Sequence, residues 1–221
     1  MKHSSYRNLH SPSARRQKRW RQLRGIALLA ALTFVVSLCS FQARCAGIRR
    51  ELLRLHVVAN SDSDIDQQAK LYVRDKILEE SAGLFDGTVD AASAEAIIVP
   101  RIEELEACAR RALLELGLKY PVRVTVEPAY FNTRSYEEAG LTLPAGRYQA
   151  VQVVLGEGGG ENWWCVMFPP LCLPAAAPRR AASLDALLTD GQLRVVKANP
   201  RYEIRFKLVE LWEELMERFR A

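Results

Sequence analysis

A strand followed directly by the start of a helix is predicted by the stretch Leu53-Arg-Leu-His-Val-Val-Ala-Asn-Ser-Asp-Ser-Asp-Ile-Asp66. Leu53–Ala59 is mostly apolar and predicts a first strand that is largely buried. Ser63, with Asp66 three positions later, resembles a capping box, and acidic residues suit the positive end of a helix dipole. A helix is therefore expected to follow, ending near Gly83, with an apolar face made of Ile65, Ala69, Tyr72, Val73 and Ile77.

Two further helices are predicted downstream. The first covers roughly Ser93 to Leu116; Pro100 suits an early helical position, so its regular part should start near Val99, and Gly117 suits the position after its end. The second is an amphipathic helix over Tyr202–Arg220, and its expected apolar face consists of Ile204, Leu208, Leu211, Trp212, Leu215 and Phe219.

Three more strands are predicted between these helices. Val122–Glu127 alternates strictly, which indicates a half-buried strand, and Arg147–Leu155 and Asn162–Phe168 predict two more. The glycine-rich run Gly156–Glu161 would join the last two as a hairpin. Pro128–Gly146 is expected to be a polar, aromatic loop, and the Ala/Pro-rich segment Leu173–Ala198 an irregular excursion.

The expected fold class is α+β. We predict a single compact domain with a small, mostly antiparallel sheet packed with two to three helices, in the order β-α-α-β-β-β-α, preceded by a hydrophobic export segment. The chain is expected to divide into a leader over residues 1–46, the main domain over 47–173, a linker over 174–199 and a C-terminal helix over 200–221 that packs on the domain.

The N-terminus has the pattern of an export signal. Residues 1–24 carry eight basic side chains and no acid, and the uncharged stretch Gly25–Ala43 follows. Ala43 and Cys45 are small and correctly spaced for cleavage after Cys45. As a helix, the stretch reaches about 28 Å, just short of the ~30 Å apolar slab, so length leaves a cleaved signal and an uncut anchor both open. In either case the basic end stays cytoplasmic and the domain is exported. A buried core helix is the alternative, but the basic run has no structural reason to lie beside one.

The leader also accounts for the basic charge of the chain. The full sequence holds 31 basic and 26 acidic residues, for a net charge of +5. Without the eight basic residues of the leader the balance is 23 against 26, which is a net charge of −3. The exported part therefore has no charge basis for binding nucleic acid.

The sequence contains no assembled catalytic or metal-binding set. His56 is the only histidine beyond the leader, and it is either a core residue or a catalytic base. Asp62, Asp64 and Asp66 alternate as in a calcium loop, but Gln67 stands where that loop needs glycine. The glycine-rich run has no Lys-Ser/Thr after it, so no phosphate-binding loop is indicated. We expect no cofactor, no metal and no enzymatic activity.

Cys165 and Cys172 are a candidate disulfide. The export leader would place them in an oxidising compartment, and Pro169-Pro170 bends the chain between them. Closing so short a loop would stabilise the domain by about 2.5 kcal/mol on the chain-entropy model. Two buried free thiols remain the alternative, since the sequence gives no geometry. Zinc ligation with Cys108 and His56 has no standard spacing to support it.

Several ordered blocks resemble the stage II sporulation protein R family. They are Leu53–Asp62 with Gln67/Gln68, Lys70-Leu71 and Val73-Arg74-Asp75; Leu143-Pro-Ala-Gly-Arg-Tyr148; Leu155-Gly-Glu-Gly158; Asn162-Trp-Trp-Cys-Val-Met-Phe-Pro-Pro-Leu-Cys172; and Ile204-Arg-Phe-Lys-Leu-Val-Glu210. The resemblance implies an intercellular signal of endospore formation. Such proteins are exported from the forespore into the space facing the mother cell. There they activate a membrane-embedded aspartic-type protease, which processes pro-sigma-E.

The resemblance implies a partner-binding surface, and aromatic and arginine residues are its natural candidates. They are His56, Asn60, Asp62, Tyr130, Phe131, Arg134, Tyr136, Trp163 and Trp164. The simpler alternative for each of them is that it only packs the core. The expected location is the space between the two membranes, either secreted or anchored by residues 25–43, with membrane contact if the leader is uncut.

Two alternatives remain from other functional classes. An exported envelope protein that binds or hydrolyses cell-wall glycan could use aromatic residues and the pair Glu157/Glu161, but a glycine-rich turn is a poor platform for fixing two acids. A purely structural envelope protein would tolerate changes in every surface patch.

Overall fold

The computed structural model describes residues 12–136, 140–171, 183–197 and 203–220 of the chain. The chain forms two compact units, Met1–Ala43 and Arg44–Ala221. Helix α1, Pro12–Arg50, supplies the described part of the first unit and the beginning of the second.

The first unit contains the apolar leader. Most of its large apolar side chains are exposed: Ile26, Leu28, Leu29, Leu32, Phe34, Val35 and Val36 are all more than half accessible, whereas Phe41 is buried. Arg19–Arg50 is long and apolar enough to cross a membrane, a criterion that a signal sequence near an N-terminus also meets. The predicted long apolar segment at the N-terminus is therefore confirmed, and it is compatible with a signal or a membrane anchor; export and cleavage stay predictions.

The second unit is an α+β domain, as predicted. Its further elements are β1 (Leu53–Val58), α2 (Asp64–Glu80), α3 (Ala91–Ile98), a 3-10 turn (Val99–Arg101), α4 (Ile102–Glu115), β2 (Val122–Phe131), β3 (Arg134–Tyr136), β4 (Leu141–Leu143), β5 (Gly146–Leu155), β6 (Asn162–Phe168), α5 (Leu184–Leu187), α6 (Asp190–Val196) and α7 (Glu203–Arg220).

The main sheet has four strands in the order β2-β5-β1-β6. β1 runs parallel to β5, whereas the β1–β6 and β2–β5 pairs are antiparallel. A parallel pair needs a long crossover, and here helices α2, α3 and α4 lie between the two strands in sequence. β3 and β4 form a separate two-stranded sheet.

The predicted hairpin of Arg147–Leu155 and Asn162–Phe168 is wrong. β1 lies between these two strands and pairs with both. All six residues of β1 are buried, which suits a central strand with a neighbouring strand on each side. The run Gly156–Glu161 instead crosses the end of β1, because Gly160 N–H donates to Ala59 O (3.0 Å) and Gly159 N–H donates to Asn60 O (3.1 Å).

Two segments that were expected to be irregular contain regular structure. β2 continues through Pro128 to Phe131, and β3 and β4 pair as a hairpin inside the predicted loop Pro128–Gly146. The described part of the predicted excursion, residues 183–197, holds α5 and α6, and α6 begins with a capping box of Thr189 and Gln192. Residues 172–182 lie outside the described part.

The helices confirm most of the predicted local signals. Ser63 caps α2 by accepting a hydrogen bond from Asp66 N, and Ala69, Val73 and Ile77 are buried, although Ile65 is exposed. Pro100 sits in the 3-10 turn that separates α3 from α4. Gly117, with a φ of +75°, ends α4, and Leu118 N–H donates to Leu113 O as in a Schellman motif.

The predicted buried face of α7 is wrong. Phe206, Val209 and Glu213 are the buried positions, whereas the predicted apolar residues Leu208, Leu211, Trp212, Leu215 and Phe219 are 41–79% exposed. Both sides of this helix carry apolar residues, so the sequence pattern does not tell which side packs on the domain.

Candidate functional site

The main sheet presents two chemically different faces. On β1, Leu53, Leu55 and Val57 belong to the hydrophobic core that helices α2, α3 and α4 cover. The alternate residues Arg54 and His56 point to the opposite face, because successive strand residues alternate in direction. The open sheet face, as we call this second face, comprises Arg54, His56, Phe131, Gln152, Asn162 and Trp164.

Three rings form the centre of the open sheet face. His56 and Trp164 stand opposite each other on β1 and β6, and their rings stack with centroids 3.9 Å apart and planes at 10°. Phe131 lies edge-on to both, 4.6 Å from Trp164 and 6.1 Å from His56. Trp164 and Gln152 are half-buried and Asn162 is exposed, so this end of the face is accessible to a partner.

Arg54 closes the other end of the open sheet face. Its side chain is completely buried, and its guanidinium lies 4.2 Å above the Phe131 ring and 4.9 Å from the Tyr148 ring. Nε donates to Cys165 O at 2.8 Å, and Nη2 donates to Tyr136 Oη at 2.7 Å. Burial lowers the pKa of Arg54, although the neighbouring hydroxyls of Tyr136 and Tyr148 oppose that shift. Arg54 thus connects Tyr136, at the end of β3, with the rings of Phe131 and Tyr148.

His56 is held as a neutral ring. Burial lowers its pKa below the ordinary 6.5, and the hydrogen bond with Asn162 and the nearby Gln152 only partly oppose this. Nε2 lies 2.7 Å from Asn162 Oδ1, so its N–H donates and Nδ1 is left as an acceptor. Nδ1 is buried and has no hydrogen-bond partner among the described residues. The contacts that the structure shows for this ring are the stacking on Trp164 and the hydrogen bond with Asn162.

A second cluster lies where β1 ends. Asn60 Nδ2 and Ser61 Oγ donate to Asp66 Oδ2, at 2.9 and 2.6 Å. Burial raises the pKa of Asp66, but hydrogen bonds from Ser61, Asn60, Tyr120 and Ser63 outweigh burial and hold it below its ordinary value. Asp66 therefore organises the turn that follows β1.

The same turn is docked on the glycine-rich crossover. Asn60 Oδ1 accepts from Glu157 N (3.0 Å), and Asp62 Oδ1 accepts from Glu161 N (2.7 Å). A Cβ on Gly156, which has a φ of +59°, would lie 2.0 Å from Asn60 Oδ1. Asn60 and Asp62 are thus engaged in fixing backbone, and Glu157 and Glu161 are held through their amides rather than as a carboxylate pair.

Besides Asn60 and Asp62, three more predicted surface residues lie away from the open sheet face. Trp163 points to the helix-covered side, packs against the core, and has the Arg74 guanidinium 4.6 Å from its ring centroid. Tyr130 faces α7: burial raises its pKa to about 12, and the acids Glu214 and Glu210 add to that shift. Arg134 is exposed on β3, at the edge of the Arg54 cluster.

The structure thus brings together His56, Phe131, Tyr136 and Trp164 out of the predicted set. It adds Arg54, Tyr148, Gln152 and Asn162, which the sequence reasoning missed. The available signal was the strand period: Arg54 and His56 share one face of β1, and Asn162 and Trp164 share one face of β6. Which strands are neighbours was the missing information.

Cys165 is buried and disulfide-bonded. Cys172, its predicted partner, lies outside the described residues, so the predicted pairing stays a prediction. Cys39, Cys45 and Cys108 are free thiols. Within the described ranges, no group of three or more His, Cys, Asp or Glu side chains could hold a metal ion.

Comparison with known proteins connects this geometry to a family. The family model described as stage II sporulation protein R matches residues 49–177, a range that includes the whole open sheet face and the crossover docked on β1. Stage II sporulation protein R of Bacillus subtilis (strain 168) is 36% identical over 122 residues, which cover 55% of this chain and 54% of that protein. The alignment therefore spans about half the length of that relative. No solved structure matches the chain. Since the family model covers more than half of the sequence, the chain belongs to the stage II sporulation protein R family.

Proposed function

We propose that this protein is an exported signal of sporulation that activates a membrane-embedded aspartic-type protease and so causes processing of pro-sigma-E. Membership of the sporulation family is the observation that carries the proposal. The N-terminal apolar helix supports export, since the protease would have to be reached from outside the producing compartment. We propose a binding role without enzymatic activity.

The burial of residues at the end of α1 favours a leader that stays attached to the domain. Cys45 and Ile48 are completely buried, and both belong to the last turns of α1. Cleavage after Cys45 would remove that side chain from the domain core and leave a cavity, which typically costs a few kcal/mol for a buried side chain. We therefore favour the uncut anchor over a released, cleaved domain.

The open sheet face is our candidate surface for the protease. It combines a stacked Trp164–His56 pair with the polar, accessible Gln152 and Asn162. Aromatic side chains with few conformers, surrounded by polar groups, are typical of binding hot spots. Binding would activate the protease if this face prefers the active form and shifts its population.

Reconstitution in non-sporulating bacteria tests the function. The cells would carry the candidate protease and its pro-sigma substrate, together with either the complete chain or a chain lacking residues 1–43. We expect conversion of pro-sigma on a gel only with the complete chain. Absence of conversion with both chains, while both accumulate in protease-resistant form, would remove the signalling proposal.

The two adjacent tryptophans provide a matched test of the surface. Trp164→Ala should abolish conversion, because it removes the centre of the open sheet face. Trp163→Ala truncates the same side chain one position earlier, on the helix-covered side, and should lower thermal stability while conversion continues. Conversion by Trp164→Ala at the wild-type level, with normal accumulation, would assign the protease contact to another surface.

A further inference from the structure

Helix α7 carries an apolar surface that the domain does not cover. The α7 stripe, as we call it, consists of Leu208, Leu211, Trp212, Leu215 and Phe219, and these side chains are 41–79% exposed. Their spacing of three and four places them on one side of the helix. An exposed contiguous set of this size marks an interaction site more often than an isolated apolar residue does.

The opposite side of α7 is fixed to the domain, so the direction of the stripe is set. Phe206 and Val209 are buried, and Glu213 pairs with Arg49, with Nη2 and Oε1 3.2 Å apart. Arg147 Nη1 donates to Glu217 Oε2 at 2.7 Å. Arg49 also donates to Ala145 O at 2.9 Å, directly over Gly146, where a Cβ would meet its side chain at 2.8 Å. These contacts hold α7 with the stripe facing outward.

Few residues separate the uncharged stretch of the leader from Arg49, the residue that holds α7. Arg49 follows Ala43, the last residue of the uncharged stretch, by six positions. Six residues span about 9 Å as a helix and at most about 21 Å extended. Trp212 is the chain neighbour of Glu213, the residue that binds Arg49. With the leader anchored in a bilayer, Arg49 is therefore tethered within about 21 Å of the end of the uncharged stretch, and α7 is tethered through Arg49.

The chemistry of the stripe suits a lipid interface. Tryptophan and phenylalanine with leucines on one helix face are typical of helices that lie in the boundary between headgroups and acyl chains. Lys207 and Arg218, eleven positions apart, share one flank of the stripe and are exposed. Lys207 Nζ lies 3.4 Å from Glu210 Oε2, so Arg218 is the better placed of the two to reach lipid phosphates. The helix is otherwise rich in glutamate, so apolar burial rather than net charge would drive the contact.

We propose that α7 lies in the membrane interface and buries the α7 stripe in the same bilayer that holds residues 25–43. The two contacts would fix the orientation of the domain relative to the membrane. This inference rests on the anchor in the proposed function but not on the protease.

Quenching by brominated lipid tests the proposal on the complete chain, reconstituted in phosphatidylcholine vesicles. All variants carry Trp20→Phe, and the emission of Trp212 is the difference between this protein and the same protein with Trp212→Phe added. Bromine attached near the headgroup end of the acyl chains should remove most of this emission. A control adds Leu114→Trp to the protein that lacks Trp20 and Trp212; Leu114 and Trp212 are both 54% exposed. The control tryptophan should keep its emission.

Three outcomes would overturn the proposal. Equal emission of Trp212 in brominated and plain vesicles excludes contact with lipid. Protection of Trp212 from iodide without bromine quenching assigns the stripe to a second copy or another protein. Quenching of both tryptophans shows adsorption of the domain in no defined orientation. A failure of pro-sigma conversion leaves the quenching result intact, so the two proposals fail separately.

Discussion

Gly160→Ala is expected to damage the crossover that holds β1 between β5 and β6. A Cβ at position 160 would lie 2.3 Å from Ser61 O and 2.5 Å from its carbonyl carbon. Backbone atoms cannot rotate away as a side-chain end can, so either the crossover or the Asn60–Asp62 turn must move. The hydrogen bond from Gly160 N–H to Ala59 O lies directly at this contact.

The size of the effect follows from these contacts. Forced displacement by one added carbon in a packed site costs about 1–3 kcal/mol. Loss of the Gly160–Ala59 hydrogen bond adds about 1 kcal/mol. We therefore expect Gly160→Ala to lower the free energy of unfolding by about 2–4 kcal/mol. For a domain of this size, that lowers Tm by roughly 4–16 °C.

The neighbouring glycine is the matched control. A Cβ on Gly159 would meet Asn60 O at 3.4 Å, an ordinary contact, and the Gly159 N–H···O bond to Asn60 would be kept. Gly159→Ala should therefore change stability by less than about 0.5 kcal/mol. Thermal unfolding of both complete chains in detergent, followed by circular dichroism, measures the difference. Equal Tm values for the two variants would refute the account of the crossover given above.

Two further predictions concern buried charge. Arg49→Met should destabilise the domain by about 1–3 kcal/mol, because it removes the ion pair with the nearly buried Glu213 and the hydrogen bond to Ala145 O, whereas Arg49→Lys, which keeps the charge, should lose less in the same unfolding assay; equal losses for the two variants would contradict this. Burial lowers the pKa of His56 below 6.5, so the unfolded chain takes up its proton first and stability falls as the pH drops from 6.5 toward the lower folded value. His56→Gln should flatten that pH dependence, and His10→Gln, in the leader, should leave it unchanged; identical profiles for wild type and His56→Gln would show that another group is responsible.

Much of the local structure follows from short-range sequence signals. Ser63 and Asp66 start α2 and Gly117 ends α4, because capping depends on residues within a few positions of the helix end. The mostly apolar segment Leu53–Ala59 predicts a largely buried strand, and this signal is also local because it lies within seven consecutive residues. The leader is equally local, because charge and hydropathy suffice to recognise it.

The arrangement of these elements depends on partners far apart in the chain. β1 meets Gln149–Val154 and Asn162–Phe168, about a hundred residues later, and no local pattern distinguishes that insertion from a β5–β6 hairpin. The stacking of His56 on Trp164, with Phe131 against both, exists only because of this strand order.

Helix α7 is a second case in which the sequence alone does not decide the packing. The sequence determined that a helix forms there and that it carries a strong apolar stripe. Only the tertiary structure decided that Phe206, Val209 and Glu213 pack inward, because the domain supplies Arg49 as a partner for Glu213 and leaves the stripe uncovered. A periodic pattern records which residues share a side of a helix, whereas the choice of the side that is buried belongs to the surface against which the helix packs.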